Sequence, residues 1–234
     1  MNVVIFGATG MVGKGVLLEC LDDARVGRVL LVSRHPIDVS HSKLREILHQ
    51  DFFDFSSIQS QFVDLDACFF CLGVSSVGMS ESDYTHLTYD LTLAAATTIA
   101  SVTGRRLTFC YVSGEGTDST ERGRSSWARI KGRTENALLR LPFKAAFVFR
   151  PGYIQPLKGI RSKTRWYQAM YDVLGSLYPL LRRALPRYVT TTANMGRAMI
   201  QVAAAGYSKQ ILFSPDINRL SAEAERTARG AQSI

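Results

Sequence analysis

Apolar residues recur along this chain in two alternating rhythms. Short unbroken runs give way to stretches in which apolar side chains return every three to five positions. The first run, Val3-Val4-Ile5-Phe6, leads directly into Gly7-Ala8-Thr9-Gly10-Met11-Val12-Gly13. Met11, Val12, Val16, Leu17 and Leu21 then repeat at helical spacing. An unbroken apolar run bounded by turn residues reads as a strand covered on both faces, and the wider spacing reads as a helix with one buried stripe. The same reading predicts strands at 28–32, 44–48, 68–72, 107–112 and 145–149. A short helix and connection fall at 58–65, and longer helices at 83–102 and 126–140, the first closed by Gly104. Strand and helix alternate, so the sheet is expected to be parallel and doubly wound, with helices on both faces.

Beyond Pro156 the rhythm loosens. Residues 165–184 read as helical, disturbed by Gly175 and Pro179; 192–205 read as a helix, 210–213 as a short strand, and the tail after Asn218 as polar and helical. This divides the chain into a core, 1–156, and a small substrate-side cap, 157–234, packed on the same domain over the strand ends where such sheets bind ligands. No internal repeat or low-complexity tract interrupts it.

The Gly-x-x-Gly-x-x-Gly loop between strand and helix is the strongest chemical signal. Gly7 permits a sharp turn, Gly10 lets backbone N–H groups approach a pyrophosphate, and Gly13 lets the helix sit close to the strand. Thr9, Met11 and Val12 complete the loop, and the helix N-terminus adds partial positive charge. These residues predict a dinucleotide site. The second strand ends at Ser33-Arg34 with no carboxylate. An acid there would suit the free ribose 2′-OH of NAD(H), whereas an arginine suits a 2′-phosphate, so NADP(H) is favoured over NAD(H). Asp51-Phe52, after the third strand, would border the adenine. Leu72-Gly73-Val74-Ser75, after the fourth, would face the inner part of the cofactor.

Composition changes this picture little. The chain has 234 residues, 46% of them hydrophobic, enough for one large α/β domain. No apolar run approaches the ~18 residues of a membrane span, and the opening strand does not resemble a signal peptide. Cys68 and Cys71 lie within an apolar strand and read as buried small side chains rather than a redox pair, which predicts a cytoplasmic, reduced protein. The histidines, His35, His41, His49 and His86, show no metal-ligand spacing, so no metal is expected. Charge is uneven: residues 121–187 hold 15 Lys and Arg against 3 Asp and Glu, net +12, leaving −4 for the rest of a +8 chain. That would suit an anionic substrate or partner; no nucleic-acid module accompanies it.

The glycine loop, Tyr111-Val112-Ser113 after the fifth strand, Lys131 in the next helix and Arg150-Pro151-Gly152 after the sixth strand together resemble the atypical and extended short-chain dehydrogenase/reductase superfamily. Its NAD(P)-binding NmrA-like and epimerase-like branch is the part resembled. The resemblance covers about residues 1–156. It implies a Rossmann fold, a nicotinamide cofactor bordered also by Pro151, Gly152 and Tyr153, and a Ser, Tyr-x-x-x-Lys catalytic set. Ser113 matches the serine and Lys131 the lysine, which also holds the nicotinamide ribose. Trp127 stands at the tyrosine position. An indole N–H donates but does not titrate, so Trp127 cannot relay a proton. Tyr84 and Tyr153 are the candidates to replace the lost hydroxyl.

Three functions follow as expectations. The first is an NADPH-dependent oxidoreductase acting on a small acceptor such as a flavin, quinone or carbonyl. The second is a non-catalytic protein that senses NADP(H). The third is an NAD-dependent epimerase or dehydratase.

Overall fold

A computed structural model describes residues 1–158, 160, 185 and 187–231. The helix expected at 165–184 lies outside the described residues. Seven strands form one parallel sheet in the order β3-β2-β1-β4-β5-β6-β9. They are β1 Asn2–Phe6, β2 Arg28–Ser33, β3 Leu44–Leu48, β4 Ala67–Phe70, β5 Thr108–Val112, β6 Ala145–Arg150 and β9 Ile211–Phe213. β7 (Tyr153–Gln155) and β8 (Val189–Thr191) pair with each other in a separate parallel ribbon. The strand order reverses between β1 and β4, where an open sheet of this class leaves a crevice at its carboxyl edge.

The central strands read as continuous apolar runs because both of their faces are covered. Val3 to Phe6 and Val29 to Val32 are buried throughout. One face packs Val3, Ile5, Leu31 and Phe69 against α1 (Met11–Asp22) and two later helices. The other packs Val4, Phe6, Phe70, Phe109 and Tyr111 into an aromatic layer with Phe52, Phe55 and Phe62. β3, at the edge, is only partly covered.

The helix expected at 83–102 starts earlier and is not uniform. Ser80 caps it, its hydroxyl accepting from Asp83 N–H at 3.1 Å. α2 (Glu81–Thr85) passes through a π-helical turn, His86–Asp90, into α3 (Leu91–Thr103). A Ser three residues before an acid is the capping signal that the apolar spacing alone does not carry. α4 (Ser126–Arg140) lies where it was expected.

The described residues beyond 156 pack directly on the sheet. α5 (Thr192–Ala205) and α6 (Ser214–Ala231) cover the same face of the sheet as α1, with Met195, Met199, Ile200, Leu212, Ile217 and Leu220 buried in one core with Ile5 and Leu17. β9 extends the main sheet beside β6. Residues 189–231 thus complete the core. The apolar periodicity of 192–205 identified a helix but not the face on which it packs.

Candidate functional site

The glycine loop has the three geometries its chemistry needs. Gly7 takes φ +84°, and a Cβ there would lie 2.7 Å from Leu72 N. A Cβ on Gly13 would lie 2.3 Å from Gly7 O, so the helix touches the turn directly. At Gly10 the nearest atom to an added Cβ is Gly7 O at 3.3 Å, and nothing else comes within 4 Å. The loop is held by Gly10 N–H donating to Gly7 O at 2.9 Å. α1 starts with no side-chain cap and no acid in its first turn, so its leading N–H groups stay available to an anion. Thr9, Met11 and Val12 are partly exposed around this opening. Leu72, Gly73 and Val74 follow β4, and the contact with Gly7 sets that loop against the glycine turn. The residues present fit a pyrophosphate.

The adenosine end differs from the sequence reading in detail. Arg34 is exposed, its guanidinium 5.9 Å from the centre of the Phe52 ring. Phe52 itself is buried in the aromatic layer, edge-on to Phe6 and Phe55. Asp51 is exposed and accepts from Phe53 N–H at 2.8 Å. Ser33 is buried, and its hydroxyl faces His35 O at 2.7 Å and Glu46 Oε1 at 3.0 Å. The sequence that ends β2 carries no carboxylate, but that of Glu46 reaches this strand end from β3. The pairing of Leu31 with Glu46 sets that position. Reading β2 alone could not reveal it; the lone acid in Leu44-Arg45-Glu46-Ile47-Leu48 was the only signal.

At the nicotinamide end, β5, the start of α4 and the loop after β6 converge. Ser113 Oγ lies 3.1 Å from Thr117 Oγ1, which in turn donates to Gly114 O at 2.8 Å. Thr117 has one proton and spends it on that carbonyl, so Ser113 donates to Thr117 and presents lone pairs outward. Asp118 fixes the rest of the loop by accepting from the Thr120 hydroxyl at 2.6 Å and from Gly123, Thr120 and Arg122 N–H, and these contacts, the hydroxyl first, hold its carboxyl down to about 2.

Trp127 packs its ring edge on this loop, with indole Cη2 3.3 Å from where a Cβ on Gly116 would sit. Lys131, one turn on, points across the Tyr111 ring, Nζ 5.5 Å from its centre. Among the described residues its ammonium has no hydrogen-bond partner. Burial lowers Lys131 to about 8 from an ordinary 10.5, with nearby Glu135 pulling the other way. Glu135 is itself engaged by the buried Arg150, whose Nε is 3.1 Å from both carboxylate oxygens. That pair ties α4 to β6. Spacing within the helix did not foretell it, since Arg150 enters from a strand.

The two tyrosine candidates separate. Tyr84 is buried on α2 and burial raises its hydroxyl. A paired bridge from Arg129 to Glu81, at 2.8 and 2.9 Å, holds α2 against α4. Tyr153 donates to Gln155 Oε1 at 2.8 Å. Pro151 O accepts from Glu115 N–H at 2.9 Å, and Gly152 N–H donates to Ser214 Oγ at 3.1 Å. A Cβ on Gly152 would lie 2.4 Å from Tyr188 O, so packing accounts for that glycine. The thiols of Cys68 and Cys71 are free and pushed up by burial. Among the described residues no group of three His, Cys, Asp or Glu is placed to hold a metal, and no helix is long and apolar enough to cross a membrane.

No family model matches the chain. It is 28% identical to the mitochondrial protein fmp52 of Emericella nidulans, over 72% of each chain. It is 26% identical to protein HTATIP2 of Rattus norvegicus, over 65% of this chain and 62% of that one. Among solved structures, the reductase domain of PhqB from Penicillium fellutanum superposes with TM-score 0.64 at 12% identity, over 90% of this chain and 65% of that one. MoeE5, in complex with UDP-glucose and NAD, superposes with TM-score 0.60 at 15% identity, over 95% and 81%. The structural neighbours are short-chain dehydrogenase/reductase and epimerase-like Rossmann proteins.

Proposed function

We propose that this Rossmann chain is an NADPH-dependent oxidoreductase that passes hydride to a small acceptor: a flavin, a quinone or a carbonyl. The observation that carries the reading is the glycine loop, where Gly10 is open while Gly7 and Gly13 are closed by backbone. The first-turn N–H groups of α1 would hold the pyrophosphate, and the unpaired Arg34 guanidinium would take the 2′-phosphate. Lys131 would bind the nicotinamide ribose through its free ammonium. Bound there, the nicotinamide supplies the hydride. Trp127 would stack on the acceptor and exclude water, and Ser113, turned away from Thr117, would donate its hydroxyl proton to the acceptor's oxygen. With no titrating hydroxyl at position 127, acceptors that need little acid assistance are favoured.

A second reading is a non-catalytic NADP(H) sensor. It is favoured by the inward hydrogen bond of Ser113 and by the indole in the tyrosine's place. Calorimetry with NADPH and NADH, followed by NADPH consumption with flavin mononucleotide, menadione and simple aldehydes, separates the two. Binding at least tenfold tighter for NADPH, with turnover of one acceptor, is the expected result. Tight binding without turnover leaves the sensor, and binding of neither nucleotide overturns both.

A further inference from the structure

The carboxylate of Glu46 lies beside Ser33 at the end of β2. Its Oε1 accepts from Ile37 N–H at 3.2 Å and lies 3.0 Å from Ser33 Oγ, whose one proton is shared with His35 O at 2.7 Å. Oε2 has no hydrogen-bond partner among the described residues, and the side chain is partly exposed. On the other side of the strand end, Arg34 is exposed and makes no hydrogen bond or ion pair through its guanidinium among those residues. The end of β2 therefore has, among the described residues, a carboxylate oxygen without a hydrogen-bond partner beside Ser33 and, one residue on, a guanidinium engaged only by the Phe52 ring. A ribose 2′-OH is a donor and matches the carboxylate. A 2′-phosphate is an acceptor with negative charge; it matches the guanidinium and is opposed by the carboxylate.

We propose that Glu46 is a specificity-determining residue of the adenosine-ribose site, accepting the 2′-OH of NAD(H) and restraining the preference for NADP(H) that Arg34 creates. This rests on the nucleotide-binding reading above. A binding site discriminates by repulsion as well as by attraction, and the two residues divide those tasks. The alternative is that Glu46 merely clips the 33–37 turn.

The test is titration calorimetry of wild type, Glu46→Gln and Arg34→Ala with NADPH and NADH. Glutamine keeps an oxygen acceptor for Ser33 and Ile37, so the turn is preserved while the charge is lost. The affinity ratio of NADPH to NADH should rise about tenfold in Glu46→Gln, the worth of one charge-assisted contact, and fall in Arg34→Ala. Adenosine 2′,5′-bisphosphate against 5′-AMP should show the same shift, which isolates it to the 2′ position. A structural clip would weaken both nucleotides together and leave the ratio within twofold, overturning the role of Glu46. Failure of wild type to bind either nucleotide would instead overturn the nucleotide site itself.

Discussion

At the scale of single residues, Lys131 carries a charge that its surroundings disfavour. The side chain is partly buried, its ammonium lies over the Tyr111 ring with no hydrogen bond among the described residues, and Glu135 is engaged by Arg150. The folded value of about 8 lies below the ordinary 10.5. Between those values the unfolded chain binds more protons, so this site's contribution to stability rises with pH across that window; below about pH 8 the full cost of burying the charge is present. Lys131→Met should therefore stabilise the protein at pH 7 by about 1–3 kcal/mol while weakening NADPH binding. The gain should shrink steadily towards pH 10. Urea denaturation at pH 7 and pH 9.5 checks this, and an equal gain at both would mean that Lys131 is not a buried charge. Trp127 makes the complementary case. Wild type should not oxidise simple secondary alcohols with NADP⁺ at a useful rate, because positioned acid–base catalysis is worth about 10²–10⁴-fold. Ser113 lies on the adjoining loop, so Trp127→Tyr should recover part of that rate if the serine can turn outward from Thr117. Robust alcohol oxidation by wild type would assign the proton to another group, Tyr84 foremost.

At the scale of elements, the strand–turn–helix opening was legible because each glycine answers a separate steric demand. That permits a paired prediction. Gly10→Val adds bulk only on the open, ligand-facing side, so nucleotide affinity should fall more than tenfold while circular dichroism stays native. Gly13→Val would drive its Cβ to 2.3 Å from Gly7 O, so α1 must move off β1 and the protein should lose its cooperative unfolding transition. If both variants keep both properties, the loop is neither the nucleotide site nor the helix–strand contact. The central strands were equally legible, since burial on both faces leaves an unbroken apolar run. What escaped was whatever depends on a neighbour distant in sequence. The carboxylate of Glu46 reaches Ser33 only through the register of β3 on β2. The Arg150–Glu135 pair needs β6 beside α4. The π-turn at His86–Asp90 leaves a helical apolar spacing intact and is invisible to it.

At the scale of the molecule, the seventh strand and the helices around it decide how many cooperative units the chain has. The sequence suggested a core ending at Pro156 with a cap beyond, because the strand–helix rhythm weakens there. In the fold, α5, β9 and α6 close the face on which α1 lies. Met195, Met199, Ile200, Leu212, Ile217 and Leu220 are buried against Ile5, Val16 and Leu17. Each large apolar side chain brought out of water is worth about 1.5–3 kcal/mol, so six of them, about 9–18 kcal/mol, are comparable with the ~5–15 kcal/mol by which a domain of ordinary stability is folded. A chain cut to residues 1–156 would also expose β6 as a new sheet edge, a template for pairing between molecules. The truncated protein should therefore lack a cooperative thermal transition and aggregate, even though it retains the whole glycine loop, Ser113 and Lys131. The full chain should unfold in a single transition seen alike by far-ultraviolet dichroism and tryptophan fluorescence. A monomeric 1–156 fragment that melts cooperatively and binds NADPH would make residues 1–156 a self-sufficient unit and the later helices an accessory layer.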